Sequence, residues 1–182
     1  MKIGSGKSKG SSYERNICKK LSLWLSDGDD DSGFWRTSNS GGRHTIRLKK
    51  GKKTKNQDGD ITSIYPEFDW FSNFYSIECK TYKDLNIWSL LINLKGDNLK
   101  NFWKQTLKQA DDSSKYPMLI AKQNQKPDII VLSALSKNLI EGYFGRFDPV
   151  LIVPDIDMNI YILKDILELD SKVFKKMIEK DE

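Results

Sequence analysis

Phe74-Tyr75-Ser76-Ile77-Glu78-Cys79-Lys80-Thr81-Tyr82 alternates residue by residue, and its reading decides the fold. Tyr75, Ile77, Cys79 and Thr81 fall on one side of an extended chain, and Ser76, Glu78 and Lys80 on the other. The pattern predicts a strand. Just upstream, Asp58-Gly59-Asp60 is a turn signal that leads into Ile61-Thr62-Ser63-Ile64-Tyr65, a second strand ended by Pro66. The two are expected to be neighbours joined by an aromatic-rich hairpin. Further back, Phe34-Trp35-Arg36 reads as a short strand. Residues 12–26 read as a helix, because Tyr13, Ile17, Leu21, Trp24 and Leu25 recur at helical spacing. Ser11 with Glu14 three residues on matches a capping box at its start.

Downstream, helices are expected over 84–95 and 97–112. The first centres on Leu85, Trp88, Leu91 and Ile92; the second turns Leu99, Phe102, Trp103, Thr106 and Ala110 inward. Two buried strands, 117–122 and 128–132, flank the turn Gln123-Asn124-Gln125-Lys126-Pro127. A further strand over 159–163 and a helix over 170–180 complete the series. The fold class is therefore α/β, a mixed central sheet flanked by helices.

A chain of 182 residues forms one domain with a core of its own. Residues 1–10, rich in Gly, Ser and Lys, read as a flexible basic arm, and 11–182 as a single domain with a C-terminal strand and helix extension. No apolar run approaches the roughly 20 residues of a membrane helix, and the N-terminus lacks the hydrophobic stretch of a secretory signal. Cys18 and Cys79 are too few for a disulfide framework or a zinc site, which fits a reducing cytoplasmic compartment. Gly4-Ser5-Gly6-Lys7-Ser8 is not a phosphate loop: the earlier glycine is missing and no strand precedes it. His44 is the single histidine and has no partner to make it a base.

The net charge of +5 is unevenly spread. Arg36, Arg43, Arg47, Lys49, Lys50, Lys52, Lys53 and Lys55 fall within twenty residues that hold no acid, whereas residues 150–182 carry a net −3. A local basic field of this kind suits a polyanion, nucleic acid first. Its contacts would be to phosphates, independent of base sequence and sensitive to salt. The bland alternative is a solvated lysine-rich loop.

Chemistry is most concentrated in Asp60, Glu78 and Lys80. Glu78 and Lys80 are two apart on a strand and share a face. Asp60 opens the preceding strand, so the carboxylates converge if the two strands pair. Paired hard oxygen ligands are what Mg²⁺ prefers, and the Cys79 carbonyl between them would complete the protein's share. A metal so held polarises a phosphodiester and acidifies a bound water, while Lys80 orients that water and offsets charge on the phosphoryl group. Asp58 is a rival to Asp60, which is preferred because a hydrophobic strand follows it directly. Alone, Glu78 and Lys80 would read as a solvated strand face, and Asp60 as a turn residue. Glu14 is explained by its capping box, yet it also lies on the stripe of Cys18, Leu21 and Leu25, where a carboxylate needs a partner or a metal. Cys79 reads as a small buried residue, not a nucleophile. Lys122, on a short strand, is a candidate phosphate contact.

Gly59-Asp60-Ile61 with Ile77-Glu78-Cys79-Lys80 resembles the aspartate and ExK motifs of the PD-(D/E)XK nuclease superfamily. The segment from Arg36-Thr37-Ser38 to Arg43 is similar to the basic loop of the archaeal Holliday-junction-resolvase branch and of related phage and restriction-type nucleases. Residues 117–122 and 127–131 resemble the two strands that follow the crossover helices there. The resemblance spans about residues 11–132 and implies a restriction-endonuclease-like fold. It implies Mg²⁺ as cofactor, with Mn²⁺ as a substitute, and DNA as substrate, branched DNA included. It implies a homodimer in the resolvase branch and a place in a bacterial, archaeal or phage-infected cytoplasm. Glu14 then corresponds to the acidic residue near the start of the first helix that joins the metal site. Gln105 is a candidate for the glutamine that members carry in the helix after ExK. Gly59 stands where many members have proline. A non-catalytic nucleic-acid-binding or assembly module on the same fold is the alternative reading.

Overall fold

A computed structural model of the chain describes residues 6–37, 59–85, 90 and 97–181. Helix α1 (Gly6–Leu25) opens it. It starts inside the stretch read as an arm, and residues 1–5 lie outside the described residues. Tyr13, Ile17, Cys18 and Leu21 form its buried stripe. It ends where Asp27 and Gly28 take positive φ, which lets the Gly28 amide reach back to the Leu23 carbonyl at 2.7 Å.

Strand β1 (Phe34–Arg36) pairs antiparallel with β2 (Ile61–Ser63), giving a two-stranded ribbon. A 3₁₀ turn (Pro66–Phe68) and helix α2 (Asp69–Phe74) then lead into β3 (Tyr75–Tyr82). This corrects the expected hairpin. Pro66 starts a helical segment, and the chain entering β2 meets β3 at a single parallel bridge between Gly59 and Ile77.

Helix α3 (Asp97–Ser113) follows, then β4 (Tyr116–Gln123), β5 (Asp128–Leu132), α4 (Ala134–Phe144), β6 (Leu151–Val153), a 3₁₀ turn (Pro154–Ile156), β7 (Met158–Ile162), α5 (Leu163–Leu167) and α6 (Ser171–Asp181). The helix expected over 84–95, with Trp88, lies almost wholly outside the described residues; Leu90 is helical and fully buried. The expected strand at 159–163 is shifted by one, since Leu163 already begins α5. Helix α4, capped by Ser133, and strand β6 had no counterpart in the reading of the sequence.

The main sheet has the order β3-β4-β5-β7-β6. Only β3 and β4 run parallel; the other neighbours are antiparallel. Helices cover both faces, which makes every residue of β5 buried. On the α1 face, Ile77, Cys79, Ile120 and Ile130 pack with Ile17, Phe71 and Phe174. On the other face, Leu119, Ala121, Ile129 and Val131 pack with Leu99 and Trp103 of α3. The mixed sheet between helices is the architecture that the sequence pattern implies. No described helix is long and apolar enough to cross a membrane.

Candidate active site

Gly59 decides how the site is built. Its φ is +81°, and a Cβ there would lie 2.5 Å from the Ile77 carbonyl oxygen. Only glycine lets the two backbones come so close in this conformation. Proline, fixed near −65°, is barred from it, so the departure from the family pattern has a structural cause. The close approach lets the Asp60 amide donate to the Ile77 carbonyl at 2.7 Å. Thr37 latches the other side: its hydroxyl donates to the Gly59 carbonyl at 2.8 Å and its amide to the Asp60 carbonyl at 2.9 Å.

Asp60 is thereby laid over β3. Its Oδ2 accepts the Cys79 amide at 2.9 Å, between the two residues whose side chains matter most. Lys80 Nζ donates to Glu78 Oε2 at 2.7 Å and stands 3.8 Å from Asp60 Oδ2. Asp60 and Glu78 are 5% and 2% exposed, so both carboxylates are nearly dry. The structure thus brings together the three groups that the sequence singled out.

Burial pushes the Asp60 carboxyl up from its ordinary value, against the pull of Lys80 and the Cys79 amide. Burial likewise raises Glu78 to about 7, and the neighbouring Asp60 charge adds to it. Burial alone would pull the Lys80 ammonium down, but Glu78 and Asp60 outweigh it and hold it up. The site is short of positive charge: one ammonium faces two carboxylates. The Cys79 thiol is held well above its ordinary value, by burial first, and stays protonated.

These groups line a cleft of about 320 Å³. Glu14 of α1 forms part of its wall and accepts from Arg36 Nε at 2.5 Å. Arg36 is therefore engaged by Glu14. Gln105 and Gln109 of α3 line the opposite wall. Gln109 lies one turn from Gln105 along α3, and its Oε1 is buried with no hydrogen-bond partner. Its signal was its place one turn after Gln105. Lys122 is elsewhere: it pairs with Asp128 at 3.2 Å and is not part of this wall. Arg43, Arg47, Lys49, Lys50, Lys52, Lys53, Lys55 and His44 lie outside the described residues.

Among the described residues no three His, Cys, Asp or Glu side chains form a metal-holding cluster. The donors present nevertheless fit a hard divalent ion. Two dry carboxylates share one ammonium, and Gln109, whose buried amide oxygen has no partner, lines the same cleft. Oxygen donors with room for water are what such an ion takes.

The chain is similar to a phage protein. Protein D14 of Escherichia phage T5 is 30% identical over 86 residues, which are 47% of this chain and 53% of D14. The chain thus spans about half the length of this curated relative. No solved structure matches it significantly. The model of the family described as "Phage putative PDDEXK endonuclease" matches residues 5–177. With nearly the whole chain inside that match, the protein belongs to this phage family of PD-(D/E)XK endonucleases.

Proposed function

We propose that the protein is a Mg²⁺-dependent endonuclease that hydrolyses DNA phosphodiester bonds. The observation that carries this reading is the meeting of Asp60, Glu78 and Lys80 in one cleft, with Lys80 2.7 Å from one carboxylate and 3.8 Å from the other. Asp60, Glu78 and the Cys79 carbonyl would hold the divalent ion, with Mn²⁺ able to stand in for Mg²⁺ and Glu14 at the margin. When bound, such an ion polarises the scissile phosphate and makes water a better nucleophile. The chain's own residues do the rest. Lys80 orients the attacking water and balances charge on the phosphoryl oxygens. The ribbon and β3 hold Asp60 and Glu78 rigidly through backbone hydrogen bonds, so the site needs little rearrangement. Arg36 and the basic residues to Lys55 supply phosphate contacts. Branched DNA, as for a resolvase acting as a homodimer, and phage or restriction-type processing are the two substrate settings within this reading. Residues 11–182 act as one domain in the cytoplasm of the host cell.

The test is a cleavage panel of supercoiled plasmid, linear duplex and a four-way junction, each with Mg²⁺, Mn²⁺ or EDTA. Metal-dependent cutting that disappears in Lys80→Ala is the expected result. Binding without cutting on every substrate would instead favour a non-catalytic module on the same fold.

A further inference from the structure

A second cleft, of about 670 Å³, opens on the α1 face of the sheet. Its centre is Asp128, only 9% exposed. Lys20 of α1 reaches Asp128 Oδ2 at 2.5 Å, and Lys122 of β4 stands 3.2 Å from Oδ1. Two ammoniums on one carboxylate leave a unit of positive charge, held in place by the buried acid. Lys126 and Lys164 stand on the rim, and Glu168 is the other acid of the lining. Lys164 and Glu168 pair at 3.4 Å with both side chains mostly exposed, so that pair screens little. Between the lysines the wall is apolar, formed by Leu23, Trp24, Pro127 and Leu167. The Trp24 ring is fixed, because its indole N–H donates to the Leu169 carbonyl at 2.8 Å.

Cations around an apolar wall match a ligand that carries phosphates and a flat apolar face on the same chain. Duplex DNA offers phosphates but hides its base faces, whereas a single strand offers both. The volume suits one or two nucleotides. The position adds a second argument. Lys122 is the register partner of Thr81 across the parallel pair β3–β4, and Thr81 lines the carboxylate cleft. The Thr81 and Lys122 backbones are thus one interstrand step of about 4.8 Å apart, so the lysine cleft adjoins the carboxylate cleft around the end of β3, although Glu78 and Lys80 project from the opposite face of the sheet.

We propose that this cleft binds a single-stranded nucleic-acid segment flanking the bond to be cut. The inference rests on the nuclease reading for the identity of the substrate, and it narrows that substrate to DNA with unpaired nucleotides beside the cleavage point.

The test uses the full chain in EDTA, a short fluorescein-labelled oligothymidylate read by anisotropy over a salt series, and thymidine monophosphate as a competitor. The variant is Lys126→Glu with Lys164→Glu, both on the rim and away from the buried carboxylate, with melting temperature as the check on folding. About tenfold weaker oligonucleotide binding is expected, with a salt slope shallower by about one to one and a half. Duplex binding should change less. Unchanged oligonucleotide affinity in the folded variant overturns the proposal, even if the parent protein cuts DNA. Competition by the mononucleotide at the oligonucleotide's own affinity also overturns it, in favour of a free-nucleotide pocket. A loss of oligonucleotide binding in the variant, with no cleavage by the parent on any substrate, sinks the nuclease reading and leaves this one standing.

Discussion

Asp60, Glu78 and Lys80 place two carboxylates around one ammonium; Lys20, Lys122 and Asp128 place two ammoniums around one carboxylate. The two clusters sit at the same end of β3 and β4, with Glu78 and Lys80 on the opposite face of the sheet from Lys122. Their burial is similar at the acids and their chemistry is inverted. The first lacks positive charge, and burial first, then the neighbouring carboxylates, pushes both its carboxyls up against the pull of Lys80. The second has positive charge to spare. The count of charges at each centre, more than the identity of any one residue, decides which ion it will accept. On the readings proposed above, a divalent cation would complete the first, and a polyanion the second.

The comparison breaks most visibly at Lys80. Lys80→Ala leaves two uncompensated buried carboxylates, and metal-dependent plasmid cleavage should fall at least ~100-fold. Loss of a rim lysine from the other cluster should spare the cutting of fully duplex DNA. Equal effects from both would erase the distinction.

Gly59→Ala comes next. It forces a side chain into φ +81° and against the Ile77 carbonyl. A stability loss of about 3 kcal/mol is expected from denaturant unfolding. Activity should fall too, because the ribbon then no longer seats Asp60 on the Cys79 amide. A neutral result would mean that the ribbon is free to shift relative to β3.

The pH profile sharpens the contrast. Glu78 titrates near 4.5 in the unfolded chain, but the folded, metal-free protein keeps its proton up to about 7. Between those values the folded state binds more protons. Its stability should therefore decline as pH rises from about 4.5 through about 7 and level off above. Melting temperature in EDTA against pH reads this slope. Glu78→Gln should flatten it, and added Mn²⁺ should raise the melting temperature most at the alkaline end. An opposite slope for the parent would mean that Lys80 fully neutralises the pair.

The smallest effect belongs to Asp128→Asn. Removing the acid that holds Lys20 and Lys122 should cost about 1 kcal/mol, since both lysines are partly solvated. It should tighten oligonucleotide binding a few-fold, because two cations are released for phosphates. Weaker binding would show that holding the lysines in place matters more than freeing their charge.

How far these clusters could be read from the sequence follows from their spacing. Glu78 and Lys80 are two apart on a clean alternation, and the period-two rule put them on one face at once. Asp60 was found by its place at the head of a strand. Its route to β3 was not, because the parallel bridge at Gly59 depends on a positive φ that a single glycine in a row of residues does not announce. Lys20, Lys122 and Asp128 are up to 108 residues apart and follow no common period. Only the pairing of β4 with β5 beneath α1 puts them together. Likewise β6 has three residues and α4 buries few of its own, so neither carries enough periodicity to stand out.

The place of β3 has a consequence for the chain during its own synthesis. It is an edge strand of the main sheet, and β4, its neighbour there, begins at Tyr116. A nascent chain halted before that residue already contains Asp60, Glu78 and Lys80 but has no inner strand on which to seat them. On the proposed function, a product truncated in that interval should be inactive, because its carboxylates lack the main sheet that supports them.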